Sequence, residues 1–269
     1  MHVKKIRPTA PPVLPATVAA ALTAALAVGL AACGTSGSSS VASNSSATTR
    51  ATTSASATAD PLADKSATAI ITKAFADTSA ASSVHVTGTG TDSGQNISLA
   101  LTVVRGKGCT GTISESKSGS FQVIYLGKSV WIKPDAAFWK SIAAGSSDAR
   151  LGASLLSGKW LKDSASDTSG LGSLVSVCSL SSLFGQATPA SDRLVKGALT
   201  TLNGQAVLPI KDVTHQGTAD VTDTAKPELL RLTSAGTSAG TFSFSDFEAP
   251  ATITPPPAGE VVDGSKYGF

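Results

Sequence analysis

Two short patterns in this chain of 269 residues carry residue types that enzymes use. Gly236-Thr237-Ser238-Ala239-Gly240 matches the G-x-S-x-G elbow, in which a serine held in a sharp turn between a strand and a helix attacks a carbonyl carbon. The residues after it, Thr241 to Phe247, alternate apolar and polar side chains as a strand does, so no helix braces the serine and the segment reads as a hairpin loop. Gly106, Gly108 and Gly111 fit G-x-G-x-x-G, which seats a pyrophosphate on a helix N-terminus, but Thr112 to Glu115 continue as a strand and the glycines read as a turn. His85 alternates with Val84 and Val86 and so faces away from them, and His215 lies in a polar loop. Neither histidine has a visible acid or nucleophile beside it. Asp163 and Asp167 sit in a serine-rich stretch without the ligand pattern of a calcium loop and read as solvated linker. The expectation is a non-enzymatic protein with no catalytic residue, no metal site and no cofactor.

The cysteines are the remaining reactive groups. Cys33 closes the run Leu30-Ala31-Ala32-Cys33, behind the basic residues Lys4, Lys5 and Arg7 and an uncharged stretch from Val13 to Ala32. A basic start, an apolar middle and small residues before a cut describe a secretory signal, and the cysteine after them resembles the lipobox of bacterial lipoproteins. That resemblance implies cleavage before Cys33, acylation of its thiol and a lipid-anchored position on the outer face of the cell membrane. A transmembrane helix is the alternative, since about 20 apolar residues can span a bilayer. It is disfavoured because the stretch is mostly alanine, carries Pro15, Thr17 and Thr23, and has no basic cluster after Ala32. One short acyl chain anchors marginally whereas two hold stably, and a diacylglyceryl group at Cys33 would meet that need. In an oxidising compartment the remaining pair, Cys109 and Cys178, is expected to form a disulfide.

These groups need elements to position them. Residues 1–32 read as the signal peptide and 33–59 as acylated cysteine and tether. From Gly34 to Ala59 the chain is nearly all Ser, Thr, Ala and Gly, which builds no core and gives a flexible reach of about 30 Å. Removing Lys4, Lys5 and Arg7 from the 21 basic residues leaves 18, equal to the 18 acidic ones. With no basic stripe, nucleic-acid binding has no support. Asp60-Pro61 should open a helix to about Thr78. Alternation then marks strands through Val84/Val86, Ile97 to Val103, Phe121 to Tyr125 and Val130/Ile132. Short helices are expected at Asp135–Ala144, Asp148–Leu156 and Gly172–Phe184. Strands resume at Arg193–Leu202, Gln205–Val213, Thr218–Thr222, Leu229–Thr233 and Thr241–Phe247, before an extended, peripheral tail. Strand run, helix run, strand run indicates α+β with an antiparallel sheet, and roughly nine or ten strands must curl. Residues 60–262 read as one domain and 263–269 as a C-terminal tail, in a chain expected to be monomeric.

The arrangement of lipobox, Ser/Thr tether, opening helix, the meander around Leu101-Thr102-Val103-Val104-Arg105-Gly106 and Phe121 to Pro134, and the ending Phe242-Ser243-Phe244-Ser245-Asp246-Phe247 with Pro250 and Ile253 to Pro256 resembles LppX/LprG-type lipoproteins of high-GC Gram-positive bacteria. Their fold is similar to that of LolA. The resemblance implies a half-barrel with helices over its concave face, enclosing an apolar cavity for the acyl chains of a lipid or glycolipid ligand. Trp131, Phe138 and Trp139, with Trp160, are candidates for the cavity rim, because an indole joins an apolar body to one polar donor. Core packing is the competing role for these aromatics. A surface-binding envelope module with a filled concavity is the alternative function. Replacing Cys33→Ser is expected to move the protein from the membrane fraction to the medium and to abolish metabolic labelling with fatty acid. Retention of either property would refute the anchor.

Overall fold

The computed structural model describes residues 60–92, 94–144, 147–167, 171–185, 193–236 and 239–267; the leader, Cys33 and the tether lie outside them. Asp60 opens the folded segment with a turn, its Oδ1 accepting from the Leu62 amide at 2.8 Å and its carbonyl from the Ala63 amide at 3.2 Å. The helix expected from Pro61 therefore begins later. Ser66 is the residue whose hydroxyl satisfies a free amide of the first turn, that of Ala69 at 3.2 Å, and α1 runs Ala67–Ala80. Its buried face is Ala67, Ile70, Ile71, Ala74 and Thr78, at the spacing of one helical stripe.

Five strands follow as consecutive antiparallel hairpins: β1 (Ser83–Asp92), β2 (Gln95–Val104), β3 (Gly108–Glu115), β4 (Gly119–Leu126) and β5 (Ser129–Pro134). Side chains alternate between faces. Val84 and Val86 stand in register with Val103 and Leu101, Val103 with Cys109, Cys109 with Tyr125, and Tyr125 with Val130, so one face is apolar across all five strands. Its opposite carries Thr87, Thr89, Ser98, Thr112 and Ser114. Gly106 has φ +72° in the turn between β2 and β3, whereas Gly108 and Gly111 lie inside β3. The glycine pattern thus belongs to a hairpin, with no helix after it.

The helical middle contains α2 (Ala136–Ala143), α3 (Ser147–Leu156), a 3-10 helix at Leu171–Cys178 and α4 (Leu180–Gly185). It also contains a strand that periodicity did not reveal, β6 (Trp160–Ser164), paired antiparallel with β5. Five residues are too few to display alternation convincingly. The helix expected over Gly172–Phe184 divides at Ser179. Beyond, β7 (Leu194–Lys196), β8 (Thr200–Leu202), β9 (Gln205–Asp212), β10 (Gly217–Thr222), β11 (Leu229–Ser234) and β12 (Gly240–Ser245) extend the sheet. The segment expected as one strand from Arg193 to Leu202 is two, both paired with β9. Instead of ending as a peripheral tail, the chain adds β13 (Val261–Asp263), parallel to β6.

Among the described residues this makes one sheet of 13 strands, ordered β13-β6-β5-β4-β3-β2-β1-β12-β11-β10-β9-β7 with β8 on β9. The junction is β12 against β1, from His85 with Ser245 to Gly90 with Gly240. The sheet is an open, curved half-barrel, and the helices cover its concave face. Phe184 of α4 stacks on Phe75 of α1 at 5.2 Å and meets Phe244 of β12 at 5.4 Å, joining both helices to the sheet. Gly88 leaves room on β1 for the ring of Phe242. Among the described residues the core cluster runs from Leu62 to Val262, so the segment from Asp60 onward carries a core of its own.

A disulfide joins Cys109 of β3 to Cys178 at the end of the 3-10 helix, 69 residues apart, with both cysteines buried. A closed loop of that length is worth about 4 kcal/mol on the chain-entropy account. The double variant Cys109→Ala/Cys178→Ala is expected to lose most of that amount in urea unfolding, and wild type in excess reductant should show the same shift. An unchanged midpoint in both would show that the bond does not hold the helical layer.

Candidate functional site

A recess of about 560 Å³ opens where the helical layer meets the turn ends of the meander. Three hydrogen bonds set its floor. The Arg105 amide donates to the Ser82 carbonyl at 2.9 Å, the Lys107 amide to Val104 at 3.0 Å, and the Gly127 amide to Lys107 at 3.3 Å, which lays the β2–β3 and β4–β5 turns side by side. Val103, Tyr125, Val175, Cys178 and Leu180 line its wall. Arg105 and Lys107, with the hydroxyls of Ser176, Ser179, Ser181 and Ser182, stand at its edge. The serines are ordered locally: Ser179 and Ser181 share a hydrogen bond of 2.9 Å, and the Ser182 amide donates to the Ser179 hydroxyl at 3.3 Å. An apolar wall meeting a cationic, hydroxyl-rich rim suits a molecule with one greasy and one polar end.

The opposite end of the strands bears a trough of about 770 Å³. Thr89, Thr91, Asn96, Ser98, Ser114, Ser120 and Thr241 line it together with the carboxylates of Glu115 and Asp135. Asp135 caps α2 by accepting from the Phe138 amide at 2.7 Å, and it accepts from the Ser120 hydroxyl at 2.6 Å. The Ser120 hydroxyl, followed by the backbone amides, holds this carboxyl below its ordinary range. No basic residue lines the trough.

The aromatic candidates separate in space. Trp139 is 5% exposed within the core, and Phe138 beside it meets Phe121 edge-on at 6.0 Å. Both are on α2, at the end of β4 away from the recess. Trp131 does not join them. Its neighbours Val130 and Ile132 enter the core, so alternation turns Trp131 to the outer face, where it packs with Ile124, Trp160, Ile253 and Val261. Lys162 lies 5.9 Å from the Trp131 ring and Lys133 5.8 Å from that of Trp160. The C-terminal segment covers this cluster, and Glu260 pairs with Lys133 at 3.1 Å. His85 meets the Thr102 hydroxyl at 3.2 Å, and His215 meets Asp212 at 2.9 Å in an exposed turn. Asp163 differs from its reading as solvated linker. It stands in β6 opposite Val130, is buried, and accepts from the Ser164 amide at 2.6 Å. Ser238 lies outside the described residues, while the residues after Gly240 form β12, a strand. Among the described residues no three His, Cys, Asp or Glu side chains gather as a metal site, and no helix is long and apolar enough to cross a membrane.

Sequence reading did not find the recess, because its lining comes from α1, two hairpin turns, the 3-10 helix and α4. The one local signal was the pair Arg105 and Lys107 flanking Gly106.

A half-barrel of antiparallel strands with helices across its hollow defines the LolA-like class of folds. No protein-family model matches this chain, and no curated protein matches it. Among solved structures, LprF from Mycobacterium bovis is similar, with a TM-score of 0.50 and 13% identity over 71% of this chain and 96% of that one. The Mycobacterium tuberculosis lipoprotein LppX gives a TM-score of 0.44 at 13% identity, covering 71% of this chain and 100% of its own. A DUF1329 family protein from Desulfovibrio piger gives 0.26 at 10%, covering 72% and 95%. The chain has the fold of LprF, the fold to which its sequence pattern pointed. The Asp135 cap generates a test. Asp135→Ala should cost about 1 kcal/mol at neutral pH. Because the carboxyl is depressed in the folded state, that difference should shrink as pH falls below the ordinary carboxylate range. Urea midpoints at pH 7 and pH 3 measure it, and an equal deficit at both would refute the ionic cap.

Proposed function

We propose that this protein is an extracytoplasmic lipoprotein, anchored through Cys33, whose folded domain binds an acyl amphiphile without acting on it chemically. The observation that carries the reading is the recess beside the disulfide, an apolar wall of Val103, Tyr125, Val175 and Leu180 within a polar rim. Its volume of about 560 Å³ exceeds the roughly 300 Å³ at which ligand pockets begin. Binding needs no reactive group, since each methylene removed from water contributes about 0.8 kcal/mol. The fold supports the same reading, because helices laid across an open sheet can part slightly without breaking any strand pairing.

A second reading has its own observation. Phe75, Phe184 and Phe244 fill the hollow between α1, α4 and β12 with the protein's own rings, which favours an envelope module that binds through its surface. Native mass spectrometry of residues 60–269 separates the two. The lipid reading expects copurified acyl species, and Val175→Trp, which fills the recess, should deplete them at unchanged thermal stability. Only the apo mass, before and after incubation with cell-membrane lipid extract, would leave the surface module.

A further inference from the structure

The two ends of the meander carry opposite charge in their hollows. No carboxylate lines the recess beside the disulfide, whereas Glu115 and Asp135 line the trough at the other end without a cation. Arg105 and Lys107 are exposed at the rim, and among the described residues neither forms an ion pair. Acids and bases balance in the chain after its leader, so this is a local excess of positive charge in a neutral protein. A guanidinium grips two oxygens of one anion and an ammonium adds a point charge. Serine hydroxyls donate to the oxygens that remain. The adjoining wall is apolar, and the size of the recess suits one drug-sized ligand.

We propose that the recess selects single-chain amphiphiles with an anionic, phosphate-type headgroup, the phosphate held by Arg105 and Lys107 and the chain lying along Val103, Tyr125, Val175 and Leu180. This rests on the reading of the recess as a lipid site and adds the headgroup class and the number of chains. Desolvation of the chain supplies affinity and is blind to charge. The two cations supply selectivity, together with an approach rate that salt suppresses.

Calorimetric titration of residues 60–269 with four probes tests it: palmitoyl lysophosphatidylglycerol, palmitoyl lysophosphatidylcholine, monopalmitoylglycerol, and glycerol phosphate without a chain. The lysophosphatidylglycerol should bind at least tenfold more tightly than the other two acylated probes. That preference should fall toward unity in 0.5 M salt and in Arg105→Gln/Lys107→Gln, and circular dichroism should show that variant folded, since both side chains are exposed. Equal binding of all three acylated probes would overturn the headgroup selectivity and leave the lipid site standing. Binding of glycerol phosphate as tight as that of the lysolipid would overturn it in favour of a simple anion site. If no acylated probe binds, the lipid reading falls and this inference falls with it.

Discussion

An apolar sheet face spread over many strands has to be kept from water, and here the helices available to do so are short. Among the described residues α1 is the longest helix, with 14 residues; α3 has ten, α2 eight and α4 six, and the helix ending at Cys178 is a 3-10 helix of eight. Segments of that length have little helical stability alone. They hold their places through what they touch. Ile70, Ile71 and Ala74 of α1 are buried, and the Thr78 hydroxyl accepts from the Leu229 amide at 2.9 Å. Phe184 holds α4 by its two ring contacts. The disulfide does for the 3-10 helix what a longer apolar stripe would otherwise have to do.

That mode of attachment explains where the recess falls. Cys178 is fixed to β3, and the chain turns immediately into α4, whose Phe184 is drawn toward α1 and β12. Between those two attachments the helical layer meets the turns at Arg105–Lys107 and Gly127, and the recess lies there. The opening lies between a covalent tie and an aromatic stack, bounded by apolar residues on the inside and by turn residues on the outside. On the far side of the sheet the alternation that supplies this face leaves hydroxyls exposed, except where Ile253 and Val261 cover Trp131 and Trp160.

Much of the fold was legible because hairpins are local. Strands β1 to β5 follow one another with short turns, and a period of two in the sequence becomes a face of the sheet directly. The helix expected from Asp135, which the structure shows as α2, was legible for the same reason. Misreadings came where local signals were short or rival: Asp60-Pro61 has the composition of a helix start, but Ser66 made the cap, and β6 was hidden among helices by its brevity. The pairing of Cys109 with Cys178 could be reasoned from compartment and number. The site itself was largely illegible, since Arg105, Tyr125, Val175 and Ser182 meet only after the helices fold back.

By itself the sequence determined the alternation, and with it the two contrasting sheet faces, because successive side chains along a strand point to opposite faces. The lipoprotein signal expected at Cys33 is likewise a linear pattern, read without a fold. The tertiary structure alone decided which aromatics share a face, that the C-terminal segment returns to pair with β6, and that a cationic turn borders an apolar wall. Those depend on contacts between residues far apart in the chain, whose closure is governed by the packing of the whole sheet and its cover.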